Sequence, residues 1–244
     1  MEVYPAIDLF ETKVVRLEQG DYARCKVYSE YPEEFAKKWT EKGAQWLHVV
    51  DLEGARSGTI KNWEALKKIV HSVDVSVQFG GGVRKREDVD ELLRIGVKRV
   101  LLGTKALDGI FLQETAALFK DKISLSFDLR GDQIQIEGWL KATQTSVYDL
   151  LDKLKALPIH SYVVTDIERD GTLQGLNLEK IRRFLEKADR PVVLSGGVSS
   201  LEDIQSLVDL DSEKLQGVIV GKALYEGKID LEAALRLARS KKRR

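Results

Sequence analysis

The chain has 244 residues, with 39 Lys or Arg against 39 Asp or Glu, so its formal net charge is zero. That balance argues against a bulk electrostatic grip on nucleic acid or an acidic membrane. The single cysteine, Cys25, cannot close an internal disulfide, and no apolar run reaches the ~18 residues of a membrane span.

The opening Met1-Glu2-Val3-Tyr4 reads as a strand rather than a signal segment. Together with the lone thiol this gives a reducing, cytoplasmic setting as the expectation. Short apolar runs then recur at residues 3–7, 46–50, 75–79, 97–102, 123–127, 162–164, 191–194 and 218–220. Their hydrophobicity is continuous rather than alternating, which suits parallel strands covered on both faces. Helical patterns fall between them. Residues 32–43 start with Pro and end with Gly. Residues 62–71 set Trp63, Leu66 and Ile69 at helical spacing, and residues 86–95 stop at Gly96. Further helices are expected at 110–119, 146–157, 178–188, 201–208 and 231–238. Asn177 and Ser200 look like N-caps, the latter with Asp203 near a capping box. A β-hairpin is expected over 130–136, turning at Gly131-Asp132. The terminal Lys241-Lys242-Arg243-Arg244 reads as a solvated tail.

Strand–helix pairs in this number fit an α/β (βα)8 TIM barrel. An open doubly wound sheet would carry a glycine-rich turn after its first strand, and Ile7-Asp8-Leu9-Phe10 holds no glycine.

The two halves resemble each other. Ala6-Ile7-Asp8-Leu9 matches Ser126-Phe127-Asp128-Leu129, and Val50-Asp51-Leu52-Glu53 matches Thr165-Asp166-Ile167-Glu168. Phe79-Gly80-Gly81-Gly82-Val83 matches Leu194-Ser195-Gly196-Gly197-Val198, and Leu102-Gly103-Thr104 matches Val220-Gly221-Lys222. The matches keep their order and their offset stays near half the chain. This reads as a two-fold half-barrel repeat, one domain over 1–244 built from halves of about 1–120 and 121–240.

Each repeated element sits at the C-terminal end of an expected strand, the face on which such barrels carry their active sites. Glycine lets backbone N–H groups approach an anion, and a helix N-terminus behind it adds positive potential. Gly81, Gly82, Gly103 and Thr104 are therefore expected to bind one phosphate, and Gly196, Gly197, Gly221 and Lys222 a second. Gly171, in the exposed turn Asp170-Gly171-Thr172, joins the phosphate set. The bland alternative is that these glycines only make tight turns. Two phosphate sites facing each other imply a substrate with a phosphate at each end.

Asp8 and Asp128 end strands on opposite sides of the mouth, where a carboxylate is costly unless paired or useful. Two carboxylates with differently tuned proton affinities can serve as general base and general acid. The alternative is a helix cap or an ion pair with Arg16, Arg84 or Arg130. Asp51, Asp166 and Asp170 lie on the same face, and the Thr165 hydroxyl can orient a carboxylate. Trp139 either plugs its loop or stacks on a planar ring. His48, His71 and His160 lack metal-ligand spacing and are expected to be packing residues, although the strand bearing His48 leads into the mouth. Cys25 has no catalytic pattern around it.

Taken together, Pro5-Ala6-Ile7-Asp8-Leu9, His48-Val49-Val50-Asp51-Leu52, Gly80-Gly81-Gly82-Val83-Arg84, Asp128 with Arg130-Gly131, Gly138-Trp139, Asp170-Gly171-Thr172 and Gly196-Gly197-Val198 resemble the ProFAR isomerase family of histidine biosynthesis over essentially the whole chain. The resemblance implies an Amadori rearrangement of the bisphosphate aminoaldose ProFAR to the aminoketose PRFAR, with no cofactor and no metal. It implies Asp8 as the base at C2 and Asp128 as the acid that opens the furanose ring. Arg16, Asp51, Arg84, Trp139, Thr165 and Asp170 become the substrate-binding set. The expected partner is a small bisphosphate, not nucleic acid or membrane, and the chain is expected to act as a monomer without an obligate protein partner.

Three rivals stand beside this reading. The cyclase subunit of imidazole glycerol phosphate synthase shares the barrel and both aspartates. It typically ends its first strand Cys-Leu-Asp and uses a lysine where this chain has Arg16. A dual-substrate isomerase also acting on phosphoribosyl anthranilate needs only the same chemistry. A non-catalytic binder of a phosphorylated ligand needs only the cradles.

Overall fold

Eight parallel strands run in chain order around a closed ring in a computed structural model that describes residues 1–18 and 20–240. They are β1 (Glu2–Phe10), β2 (Trp46–Asp51), β3 (Ser76–Gly80), β4 (Arg99–Leu102), β5 (Ile123–Arg130), β6 (Ser161–Asp166), β7 (Val192–Ser195) and β8 (Leu215–Val220). β8 pairs with β1 in parallel, Val3 opposite Val218, and so closes the barrel. The outer helices are α1 (Pro32–Glu41), α2 (Trp63–Ser72), α3 (Arg86–Arg94), α4 (Gly109–Phe119), α5 (Val147–Leu154), α6 (Leu178–Lys187), α7 (Leu201–Asp209) and α8 (Leu231–Arg239). The chain therefore has the expected (βα)8 architecture. The basic run 241–244 lies outside the described residues.

Strand parity makes two cores. Along β1, Val3, Ile7 and Leu9 point outward into the layer shared with the helices, while Tyr4 and Ala6 point inward with Leu101, Val163, Val193 and Ile219. Apolar residues on both faces produce the continuous runs seen in the sequence. The outer layer holds the large side chains, among them Phe79 and Phe127, each at most 1 % exposed. Burial of each contributes about 2–3 kcal/mol. The inner core is narrow, so the upper part of the barrel is free for polar groups.

Helix starts follow the sequence. Asn177 Oδ1 accepts from the Lys180 amide at 3.1 Å. Asp203 Oδ2 accepts from the Ser199 and Ser200 amides at 2.8 and 3.1 Å, completing the box at α7.

Two parts of the fold differ from the expectation. β1 does not stop near Ile7 but continues to Phe10 and turns back antiparallel into the strand Lys13–Glu18, which pairs with Asp21–Ser29. Residues 21–26 pair as strand although their charged residues hide the alternation. The hairpin after β5 gains a third strand, Lys141–Ser146, beside Gln133–Ile136. Both extensions rise over the C-terminal mouth.

Candidate active site

The mouth of the barrel opens into a cavity of about 210 Å³. Inward-facing positions at the ends of the strands set its floor: Asp8, Val50, Gly80, Gly103, Asp128, Thr165, Ser195 and Gly221. Ladder register fixes their neighbours. Asp8 lies opposite Val50, and Thr165 lies between Asp128 and Ser195.

Asp8 is held from the first hairpin. Arg16 donates from Nη1 to Asp8 Oδ2 at 2.6 Å, with the two side chains 12 % and 14 % exposed. The guanidinium lies 5.6 Å from the Tyr225 ring centroid, and Tyr225 in turn donates its hydroxyl to the Ala6 carbonyl at 2.7 Å. Gly221 supplies the room: a Cβ there would sit 2.0 Å from Arg16 Nη2. Burial pushes the Asp8 carboxyl up to about 6, against the pull of Arg16 and with a further push from Asp170. Burial also raises Asp128, against hydrogen bonds from Thr165 and Trp139, with Asp170 adding to the rise. Asp170 is itself raised by burial, while Arg16 and Lys222 oppose it. Asp8, Asp128 and Asp170 thus share one cavity with Arg16, Arg84, Lys105 and Lys222, and each of the three carboxyls holds its proton more tightly than a carboxylate in water.

The glycines form matched pairs. Gly81 and Gly82 have φ of +105° and +81°, and Gly196 and Gly197 have +86° and +94°. A Cβ at Gly81 would lie 2.2 Å from the Asp51 carbonyl oxygen, and one at Gly196 would lie 2.5 Å from that of Asp166. Backbone, not side chain, therefore faces the cavity at both places. Gly103 and Gly221 share a second conformation, φ −91°, ψ −99° and φ −107°, ψ −102°. Lys222 Nζ donates to the Gly171 carbonyl at 2.9 Å, which holds the Asp170-Gly171-Thr172 turn against β8. Thr104 Oγ1 accepts from the Glu137 amide at 3.2 Å, so its side chain anchors the second hairpin.

At the tip of that hairpin Glu137, Gly138 and Trp139 have consecutive positive φ values of 56°, 65° and 71°. The turn carries the Trp139 ring over the mouth, where it rests on Gly20 of the first hairpin. A Cβ on Gly20 would be 2.6 Å from the ring. Arg84 also lines the cavity, its guanidinium set against Gly58, where a Cβ would be 2.3 Å from Arg84 Cζ.

Asp51 is placed elsewhere. It is fully buried and does not line the cavity. Oδ1 accepts from the Gly54 amide and Asn62 Nδ2, both at 2.8 Å, and Oδ2 accepts from the Lys61 and Asn62 amides at 2.6 and 2.8 Å. It is the brace of the β2–α2 loop. Its counterpart Asp166 pairs with Lys180 at 2.9 Å. All the other expected site residues line the cavity.

Several lining residues had no signal of their own in the sequence: Tyr22, Lys105, Ser126, Gln135 and Leu173. His48, expected to be a packing residue, also lines the cavity while only 8 % exposed. Burial and then Arg16 push it down to about 3, so it is neutral at pH 7, and its Nδ1 lies 2.9 Å from Gln78 Nε2. Among the described residues no group of three His, Cys, Asp or Glu is placed to hold a metal ion.

The arrangement is suited to proton transfer on an elongated anion held at both ends. Residues 2–230 match the family model described as histidine biosynthesis protein. The chain is similar to a 1-(5-phosphoribosyl)-5-((5-phosphoribosylamino)methylideneamino) imidazole-4-carboxamide isomerase of Gloeothece citriformis, 44 % identical over 96 % of this chain and 92 % of the relative. Isomerases of the same name from Prochlorococcus marinus and Thermodesulfovibrio yellowstonii are 40 % and 41 % identical, over 99 % and 97 % of this chain and 95 % and 97 % of the relatives. The chain belongs to the histidine biosynthesis protein family.

Proposed function

We infer that the protein is the isomerase of histidine biosynthesis that converts ProFAR to PRFAR by an Amadori rearrangement. The observation that carries the reading is a pair of cavity-lining carboxylates, Asp8 and Asp128, on opposite walls between two matched glycine cradles. A bisphosphate fits that plan: one phosphate at Gly81, Gly82 and Gly103, the other at Gly196, Gly197 and Gly221, with Gly171 and Lys222 beside the second. The twin backbone conformations also support the half-barrel organisation, about 1–120 and 121–240, as a duplication.

Asp128 donates a proton to the furanose ring oxygen. The C–O bond to the anomeric carbon breaks, and the ring opens to a Schiff base. Asp8 removes the proton from C2, and the electron pair of that C–H bond moves toward the C=N group. The resulting enaminol takes a proton at C1 and loses its hydroxyl proton, which leaves the aminoketose. Atoms balance without oxidant or reductant, so the reaction calls for no cofactor. With a pKa of about 6, Asp8 is ionised at pH 7 yet more basic than an ordinary carboxylate. Thr165 steadies Asp128, Arg16 and Arg84 hold the substrate, and Trp139 covers it. The proposed setting is the cytoplasm, with the chain acting as a monomer.

Asp170 supports a second assignment of the acid. It is raised by burial and bears on both other carboxylates, from a turn that Lys222 secures. Steady-state turnover of ProFAR separates the two. Asp8→Asn and Asp128→Asn are each expected to lose roughly 10²–10⁴-fold in kcat. If Asp128→Asn stays within about threefold of the parent while Asp170→Asn does not, the acid is Asp170. If neither Asp8→Asn nor any other of these changes slows turnover, the acid–base reading fails.

A further inference from the structure

At the end of the barrel away from the mouth, the interior is closed by a cation that no carboxylate among the described residues pairs with. Arg99 stands two residues before the inward-facing Leu101 on β4 and is 5 % exposed. Its guanidinium carbon lies 4.5 Å from the Trp46 ring centroid, and the Trp46 ring lies 5.7 Å from that of Tyr4. Arg99 Nη2 is 3.0 Å from His160 Nε2. A guanidinium can only donate, so Nε2 is the acceptor and the imidazole proton sits on Nδ1. Burial, then Arg99, pushes His160 down to about 4, which keeps the ring neutral at pH 7.

The remaining polar atoms here are mostly donors without partners. Arg99 Nε and Nη1 and His160 Nδ1 are buried with no hydrogen-bond partner among the described residues, as is the acceptor Gln78 Oε1 on the neighbouring strand, while the Tyr4 hydroxyl bears on Arg99 as a hydrogen-bond neighbour. No carboxylate among the described residues pairs with Arg99: Glu2, whose buried Oε2 has no hydrogen-bond partner and whose charge reaches Tyr4, lies 3.6 Å from Arg239, and the influence of Asp121 on His160 is opposed by Lys122. Among the described residues, Tyr4 is the group that draws on the Arg99 charge. A buried, unpaired guanidinium is among the more expensive states a fold can hold. Water satisfies stray N–H groups but leaves the charge. An anion does both.

We propose that the base of the barrel is a small-anion site, in which Arg99 Nε and Nη1 hold one monovalent anion of the chloride class beside Trp46 and Tyr4. The site is separate from the phosphate cradles, because Arg99 begins β4 whereas Gly103 follows its end. One unbalanced positive charge sets the valence.

Two measurements test it. Crystals of the full chain grown or soaked in sodium bromide are expected to show an anomalous peak in contact with Arg99 Nε or Nη1. In thermal unfolding, sodium chloride is expected to raise Tm by about 3 °C over sodium gluconate at equal ionic strength, without phosphate present. Arg99→Met keeps the length of the side chain, and is expected to abolish both the peak and the chloride difference. A bromide crystal with no anomalous peak at Arg99 overturns the proposal. So does a chloride effect that persists in Arg99→Met, since the anion would then act elsewhere. A peak with no chloride effect on Tm means binding at crystal concentration only, and also overturns it. If Arg99→Met does not fold, the two wild-type measurements decide.

Discussion

Asp8 shows how a single side chain is tuned for work at the expense of stability. Its folded pKa is about 6 against 3.8 for the free group, so the native state holds the proton more tightly than the unfolded one. Stability therefore falls as pH rises through the window from about 4 to 6, and the ionised, buried group costs roughly 3 kcal/mol at pH 7. Asp8→Asn should raise stability by about 1–3 kcal/mol at pH 7.5, some of the gain being lost with the Arg16 pair, and by nothing at pH 4. Denaturant titrations at the two pH values measure this. In the parent enzyme kcat/KM should fall about tenfold per pH unit below about 6 as the base becomes protonated. Asp51 is the opposite case. Its four hydrogen bonds serve the loop alone, so Asp51→Ala should cost about 3 kcal/mol or more in urea unfolding, with KM of the folded fraction unchanged. Asp8 and Asp51 look alike in the sequence, as each follows an apolar run. Parity separates them: Asp8 shares the inward side with Tyr4 and Ala6, whereas Asp51 shares the outward side with Leu47 and Val49.

At the scale of elements, the two hairpins over the mouth are a joint device. The first supplies Arg16, Tyr22 and Gly20; the second supplies Gln135 and Trp139. They meet where the Trp139 ring lies on Gly20, a contact that leaves no room for a methyl group. Gly20→Ala should displace the ring, raise KM for ProFAR about tenfold with a smaller effect on kcat, and alter tryptophan fluorescence. In Trp139→Phe the same Gly20→Ala change should have a much smaller effect on KM. The helices were legible because caps and apolar spacing are local signals, as Asn177 and Ser200 show. The first hairpin was not, because Lys13–Glu18 and Asp21–Ser29 carry charges on both faces and owe their pairing to β1. The second was half legible: Gly131-Asp132 marks its turn, but Lys141–Ser146 has no apolar face to announce a third strand.

For the molecule as a whole, the repeat is the feature from which the site followed. Strand ends that recur at half the chain length must lie across the barrel from each other, and the glycine pairs do so with closely similar backbone angles. The legible part was thus the set of positions fixed by the backbone. What stayed hidden were contacts made by side chains from distant segments, such as Arg99 with His160. Calorimetric titration with inorganic phosphate should give two binding sites per chain. Gly82→Ala and Gly197→Ala, which drive a Cβ to 2.7 Å from the Ile60 amide nitrogen and the Gly175 carbonyl oxygen respectively, should each leave one.

Arg16 ties the first barrel strand to the last. It grips Asp8 on β1 while lying on Tyr225 and in the space left by Gly221, both beyond β8. On the ribosome, Asp8 is made well before β8, yet its environment is completed only when that strand has emerged and docked. The proton affinity of the base is in this sense a late folding event, and a nascent barrel lacking β8 holds the right residues without the right chemistry. Activity therefore reports closure of the ring, and a chain cut short before residue 215 has no route to partial function through its first seven strands.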